Sequence, residues 1–456
     1  MKMTSSFVCQ ECGYDSPQWL GKCPECGLWN TFREIKTSAI SDQQSAVSQN
    51  KNLTPKSLSE IKFEVKNRIE TGFSELDGVL GGGIVKGSVV LLAGDPGIGK
   101  STLLLQLAMK AKGTPLYISG EESEQQIKMR ALRLRSGQAR LSHSDKDNLL
   151  LISLSNSDAC LQVIENTKPN LVIIDSIQTM ESENLSGLSG SVGQVRYATA
   201  EFIKIAKRLN IPIIIVGHVT KEGMVAGPMI LSHMVDTVLF LEGEKFTRFR
   251  ILRSLKNRFG PVDEVGVFTM DASGMSEVRH PEQTFLESKK KDTPGSVLVV
   301  TLEGTRAFLV EIQALTVFSK LPMPRRVSSG IDGRRLELLL AVLQKHARLP
   351  IDTADVYVNV AGGLRLSDPA TDLGICLAVF SSFRNITLGK SVAIAEVGLL
   401  GELRQVSDFE KRSKEAKKLG FKNIIGADKF KTLNEAIYSF VKFEARSTKL
   451  ETNSKT

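Results

Sequence analysis

The strongest constraint on this chain is the run GDPGIGKST at residues 94–102. It comprises Gly94, Asp95, Pro96, Gly97, Ile98, Gly99, Lys100, Ser101 and Thr102. Gly94, Gly99, Lys100 and Ser101 fit the spacing G-x-x-x-x-G-K-[ST], with the apolar run VVLLA before it and STLLLQLAMK after it. A strand passing through a glycine loop into a helix is the context a phosphate-binding loop requires. The glycines let backbone N–H groups wrap phosphate oxygens, and the start of the helix adds partial positive charge. Lys100 is expected to neutralise the β- and γ-phosphates of ATP, and Ser101, aided by Thr102, to ligate Mg²⁺.

The surrounding pattern is α/β. Strands are expected at 88–93, 115–119, 149–153, 171–175, 212–216 and 236–241, all nearly continuous in apolar character. Such runs suit a mostly parallel sheet buried on both faces. Helices are expected between them, at 101–111 and 195–209 among others. Ligands in such sheets gather at the carboxyl ends of the strands. Asp175 ends the run LVIID and is a candidate for the Mg²⁺ shell. The strand at 115–119 leads into Gly120, Glu121 and Glu122, and either carboxylate could polarise the attacking water.

Composition adds a second module and excludes a membrane protein. Four of the six cysteines cluster as Cys9-x₂-Cys12 and Cys23-x₂-Cys26. Four thiolates suit a closed tetrahedral Zn²⁺ site, with an iron–sulfur centre as the competitor. A 30-residue module has little core of its own, so the metal is its expected framework. Trp19, Lys22, Trp29 and Arg33 are candidates to touch DNA or a protein partner. Cys160 and Cys376 are expected as small core residues. No apolar run approaches the length of a membrane span, and the N-terminus lacks a signal-peptide pattern, so a cytoplasmic protein without membrane contact is expected. The formal charge of +9 favours an anionic partner, nucleic acid being the usual one.

These features divide the chain into a zinc module at 1–30, a flexible Ser-, Gln- and Lys-rich linker at 31–66, an ATPase domain at 67–280, a charged junction at 281–293 and a second α/β region at 294–456. In the last region strands are expected at 295–301 and 306–312, a helix at 334–347, and a frayed tail at 445–456.

The run TGFSELDGVLGGGIVKGSVVLLAGDPGIGKSTLL (71–104) resembles the ATPase core shared by RecA- and DnaB-type proteins. KNRFG (256–260) resembles the signature of the RadA (Sms) family of bacterial DNA-repair proteins, and the cysteine cluster and C-terminal region extend the likeness over nearly the whole chain. The resemblance implies Glu121 as the water-activating carboxylate and His218, in IIIVGHVT, as a γ-phosphate sensor. It implies a homo-hexameric ring in which Lys256 and Arg258 reach the neighbouring subunit's γ-phosphate, single-stranded and branched DNA as substrates, and cooperation with the RecA recombinase. The Gly-rich stretches 181–194 and 219–233 then correspond to channel loops, with Arg196 and Lys221 as candidate phosphate contacts; by composition alone they are equally mobile surface loops.

Residues 352–400 resemble the proteolytic domain of Lon protease, most clearly in DPATDLGICLAVFSS (368–382). Ala370 stands where that family has its nucleophilic Ser, and Glu410 where it has its Lys, with Lys411 beside it. Without a hydroxyl nucleophile, acylation has no route. The leading expectation is a DNA translocase of recombination and repair that drives branch migration. The alternatives are a non-motor ATPase switch of the KaiC type, a DNA-binding scaffold and, least favoured, an ATP-dependent protease.

Overall fold

The structure, a computed structural model, describes residues 5–9, 14–25, 27–36, 57, 68–136, 148–185, 187–218, 228–243, 248–278 and 293–441. Cys12, Cys26, Lys221, nearly all of the expected linker, the junction up to 292 and the tail lie outside the described residues. No helix among the described residues is long and apolar enough to cross a membrane.

The N-terminal module is a small antiparallel sheet in which β1 (Ser5–Cys9) lies between β2 (Asp15–Ser16) and β3 (Phe32–Lys36). Cys9 pairs with Phe32 and Ser5 with Lys36. The module therefore runs past residue 30, and five residues of the expected linker, 32–36, close its sheet. Three of the five strand residues, Arg33, Glu34 and Lys36, are charged, so only the pairing with β1 marks the segment as part of the sheet.

Backbone contacts divide the chain into two compact units, the first holding residues 1–242, 250–262 and 268–277 and the second 243–249, 263–267 and 278–456. After β4 (Arg68–Ile69), α1 (Ser74–Leu80) and β5 (Ile84–Val85), the ATPase core begins at β6 (Val89–Gly94) and α2 (Lys100–Lys110). It continues through β7 (Pro115–Ser119), α3 (Glu124–Ser136), β8 (Leu150–Ser153), α4 (Ser157–Thr167), β9 (Leu171–Asp175) and α5 (Val192–Leu209). It closes with β10 (Ile213–His218), α6 (Pro228–Ser232), β11 (Thr237–Glu242), β12 (Phe249–Asn257), β13 (Val265–Asp271) and β14 (Gly274–Glu277).

Among the described residues these strands form one sheet in the order β14-β13-β12-β11-β6-β10-β9-β7-β8. From β8 to β11 the pairs are parallel, and β12 joins antiparallel to β11. β6 and β9 are buried at every position. That follows from helices on both faces: one apolar cluster joins α1, α2 and α3 to the sheet, the other joins α4 and α5. All six expected strands and both expected helices are present, shifted by at most three residues. The order places the phosphate-loop strand between β10 and β11, far from β7, so the chain reverses direction across the sheet beside that loop.

The second unit holds a six-stranded mixed sheet among the described residues, ordered β17-β18-β16-β15-β19-β22. Its members are β15 (Ser296–Glu303), β16 (Arg306–Phe318), β17 (Arg326–Ser329), β18 (Ala354–Val360), β19 (Ser391–Ile394) and β22 (Asn423–Gly426), with a separate hairpin of β20 (Glu396–Val397) and β21 (Leu403–Arg404). Its helices include α7 (Gly333–His346), α8 (Asp372–Arg384) and α9 (Phe409–Lys418), and residues 433–441 are also helical. α8 is buried from Asp372 to Ser381 and lies so close to β15 that a Cβ at Gly374 would fall 2.0 Å from Val299 Cγ1.

Candidate active site

The phosphate loop folds around its own lysine. Gly94, Gly97 and Gly99 take φ of 152°, 77° and 114°, values that other residues adopt only with strain. Lys100, 3% exposed, donates from Nζ to the carbonyls of Gly94 at 2.8 Å and Asp95 at 3.0 Å. Desolvation lowers its pKa, partly offset by Asp175, Asp95 and Glu121. An ammonium held this way at the first turn of α2 fits an incoming polyphosphate, whose negative charge would favour the charged form of the lysine. Ser101 and Thr102 follow it, both half-buried at the helix start.

Asp175 closes β9 level with Ser119 of β7 and is 6% exposed. Tyr117 Oη donates to its Oδ2 at 2.5 Å. Burial and the carboxylate both push the Tyr117 pKa well above its usual value, so the phenol stays protonated and orients Asp175. Sequence reading missed Tyr117; a phenol within the otherwise apolar middle of the strand PLYIS was the available signal. It also missed Arg250, which is 7% exposed and donates from Nε to the Ile98 carbonyl at 3.1 Å, bracing the phosphate loop from β12.

The two glutamates separate. Glu122 pairs with Arg130 on α3, and its N–H is capped by Ser119 Oγ at 2.9 Å. Glu121 turns toward β9 and β10: its Oε1 accepts from Ser176 Oγ at 2.6 Å and lies 3.5 Å from His218 Nε2. Gly120 makes this possible, since a Cβ there would fall 2.0 Å from Thr179 Oγ1. His218 ends β10 opposite Gly94. Its pKa is lowered, chiefly by burial and then by Lys100, which keeps the ring neutral near pH 7. Its Nδ1 and the nearby Gln178 Oε1 are buried with no hydrogen-bond partner among the described residues. Gln178 itself donates to the His218 carbonyl at 3.3 Å. Buried polar atoms left open beside a phosphate loop fit a site that a nucleotide and its water complete. Lys100, Glu121, Asp175 and His218 thus converge at the carboxyl edge of one sheet.

Lys256 and Arg258 lie elsewhere. β12 runs antiparallel to β11, so Lys256 faces Val238 and Asn257 faces Thr237, which is itself level with Val90 at the start of β6. They lie toward the amino edge of the sheet, with Lys256 level with Leu91 and Arg258 past Val90, three to five residues down β6 from Gly94. At ~3.3 Å per residue that is roughly 10–17 Å along the strand, with two strand spacings across the sheet in addition, beyond the reach of either side chain. Lys256 Nζ donates to the carbonyls of Ser232 at 2.7 Å and Val235 at 2.9 Å. Arg258, 53% exposed at its side chain, faces Asp236 Oδ1 at 3.4 Å.

The stretch 181–194 is less loose than its glycines and serines imply. Gln194 bonds through its side chain to the N–H and carbonyl of Ser182 and the carbonyl of Leu185, and α5 begins at Val192. Arg196 is exposed on that helix.

In the N-terminal module, Cys9 and Cys23 are 0% and 1% exposed in one cluster with Phe32, and Cys9 Sγ lies 3.1 Å from Thr31 Oγ1. Gly27 N–H returns to the Cys23 carbonyl at 2.9 Å, a tight turn that fits a metal knuckle. Buried thiols on neighbouring turns fit a thiolate-held metal, with Cys9 and Cys23 as the described half of the ligand set. Lys22 Nζ stands over the Trp29 ring at 5.6 Å, and Trp19 and Trp29 are both exposed. Cys9→Ser and Cys23→Ser are each expected to cut zinc content from about one ion per chain to near zero, read by atomic emission. Retention of stoichiometric zinc by both variants would remove the ligand assignment.

Ala370, which the sequence resemblance sets against a nucleophilic serine, is 0% exposed in a turn capped by Asp368, whose Oδ1 accepts from its N–H. Glu410 and Lys411 are exposed on α9. The buried side chain there is Arg412, which pairs with Asp368 and donates to the carbonyls of Val300 and Ser407 at 2.9 Å.

Two family models match parts of this chain. The family described as an AAA domain matches residues 54–224, and that described as a rubredoxin metal binding domain matches residues 7–34. The DNA repair protein RadA of Halalkalibacterium halodurans is 47% identical over 94% of this chain and 93% of its own length. RadA of Bacillus subtilis is 47% identical over 93% and 92%, and RadA of Listeria monocytogenes 46% over the same shares. Among solved structures, the crystal structure of the RadB recombinase matches 46% of this chain and 99% of its own, at 22% identity and a TM-score of 0.37.

Proposed function

The chain belongs to the RadA family of bacterial DNA repair proteins, and from that premise we propose that it is a DNA-dependent ATPase working as a ring-shaped translocase on single-stranded and branched DNA. The observation that carries the reading is the split of its charged groups between opposite edges of one sheet. Lys100, Glu121, Asp175 and His218 sit at one edge, Lys256 and Arg258 at the other. A homo-hexameric ring brings the second set to the first across each subunit boundary.

In this reading Lys100 and the loop N–H groups hold the phosphates. Ser101 and Asp175 would hold Mg²⁺, which supplies charge neutralisation to the β- and γ-oxygens. Glu121 takes the proton of the attacking water, oriented by Ser176. Lys256 and Arg258 of the adjoining subunit stabilise the charge that develops as the γ-phosphoryl leaves. His218 senses the γ-phosphate at the head of the segment 219–233, which together with 181–194 contacts the DNA strand. The work served is branch migration in recombination and repair, in cooperation with the RecA recombinase. The second unit is a Lon-protease-like scaffold without peptidase activity, supported by the buried Ala370 and the Arg412–Asp368 pair.

Three measurements on the full chain test this. Single-stranded DNA raises ATP turnover, forked DNA is unwound, and DNA affinity falls steeply as salt rises. Turnover indifferent to DNA, with no unwinding, would favour the non-motor switch. DNA binding without hydrolysis would favour the scaffold. Cleavage of an unfolded polypeptide would return the protease.

A further inference from the structure

The turn that carries Lys256 and Arg258 is held by a residue far from it in sequence. Arg68, on β4, donates from Nη2 to the Phe259 carbonyl at 2.6 Å. From Nη1 it donates to the carbonyls of Leu80 at 3.0 Å and Gly83 at 3.2 Å. One guanidinium therefore ties the KNRFG turn to the C-terminal end of α1 and the glycine turn after it. Asn257 adds a second tie, donating from Nδ2 to the Leu80 carbonyl at 3.3 Å while its Oδ1 accepts from Phe259 N–H at 3.0 Å.

Two glycines let the turns meet backbone to backbone. Gly81 has φ of 78°, and a Cβ on it would fall 3.1 Å from Gly260 Cα. A Cβ on Gly260 would fall 2.9 Å from Asn257 Nδ2. Within KNRFG the residues thus divide by role. Asn257 and Gly260 shape the turn, and Lys256 and Arg258 carry charge. The shape is completed from outside the motif by Arg68.

We propose that Arg68 is a positioning residue, which presets the turn so that Lys256 and Arg258 meet the neighbouring subunit's γ-phosphate. The proposal rests on the trans reading above. Its physical basis is the guanidinium fork, whose two terminal nitrogens reach three carbonyls on different segments; an ammonium on a flexible stem cannot fix them together. Misplacing a charge by ~1 Å in a site of this kind costs about 10²-fold in rate.

The test uses Arg68→Ala and Arg68→Lys in the full chain, with single-stranded DNA and ATP. Both variants are expected to lower DNA-stimulated kcat by about 10- to 100-fold while ATP binding stays near wild type. Rings co-assembled from Arg68→Ala and Lys100→Ala subunits separate positioning from damage. An Arg68→Ala subunit keeps a sound phosphate loop, and a Lys100→Ala subunit keeps a sound 256–260 turn, so their shared boundary is competent and turnover exceeds the sum of the two pure variants. Arg68→Lys repeats the mixing if Arg68→Ala does not fold. Wild-type kcat in both variants overturns the proposal. So does a mixture that gains nothing while Arg258→Ala mixed with Lys100→Ala does gain, since Arg68 then acts within its own subunit. If the Arg258→Ala mixture also gains nothing, the trans reading fails first and takes the proposal with it.

Discussion

Glu121→Gln is expected to bind ATP as the wild type does and to turn it over about 10²–10⁴-fold more slowly, the usual range for loss of a general base. Glutamine keeps the size of the side chain and the oxygen that accepts from Ser176 Oγ, so the site stays assembled. What it loses is the capacity to take a proton. Glu122→Gln is the matched control. That carboxylate is paired with Arg130 on α3, so its loss costs up to about 1 kcal/mol of stability and leaves kcat near wild type. Single-turnover hydrolysis and equilibrium binding of a non-hydrolysable analogue separate the two effects. If Glu122→Gln is the slow variant, the base has been assigned to the wrong glutamate.

The sequence left Glu121 and Glu122 equivalent because both follow the same strand end, and only a fold can say where each turns. The larger architecture was legible for a simple reason. Strands such as VVLLA and LVIID are apolar throughout, so burial on both faces could be inferred without knowing their neighbours. The phosphate loop was legible because its residues act locally, within one strand–turn–helix unit. Tyr117, Arg250 and Arg68 were not, because each acts on a partner 58 or more residues away. Nothing at residue 68 records that Phe259 will lie beside it. The end of the N-terminal module was misjudged because a strand at 32–36 with three charged residues in five reads as linker until its pairing with β1 is seen.

Arg258→Ala is expected to lower DNA-stimulated kcat by about 10³-fold or more, the scale of a cation supplied to a phosphoryl-transfer site in trans, with folding unchanged. Its side chain is half-exposed, and its contact with Asp236 at 3.4 Å contributes little to stability after solvent screening. Asp236 is also satisfied without it, since its Oδ2 accepts from Val89 N–H at 3.1 Å. Lys256→Ala should slow turnover comparably and should also lower the melting temperature, because Lys256 neutralises the carbonyl-rich end of α6 through Ser232 and Val235. The pair therefore predicts a dissociation between two readouts: both variants lose catalysis, and one of them loses stability. Their position supports a coupling as well. β12 carries Arg250, bound to the phosphate loop of its own subunit, at its second position, and Lys256 near its end, with Arg258 just beyond it. A displacement of the loop on nucleotide exchange has a nine-residue strand along which to reach the next subunit's site. If Arg258→Ala retains wild-type stimulated turnover, both the trans contact and that route are removed. If it is slow, and rings mixed with Lys100→Ala subunits recover, the active site belongs to two chains.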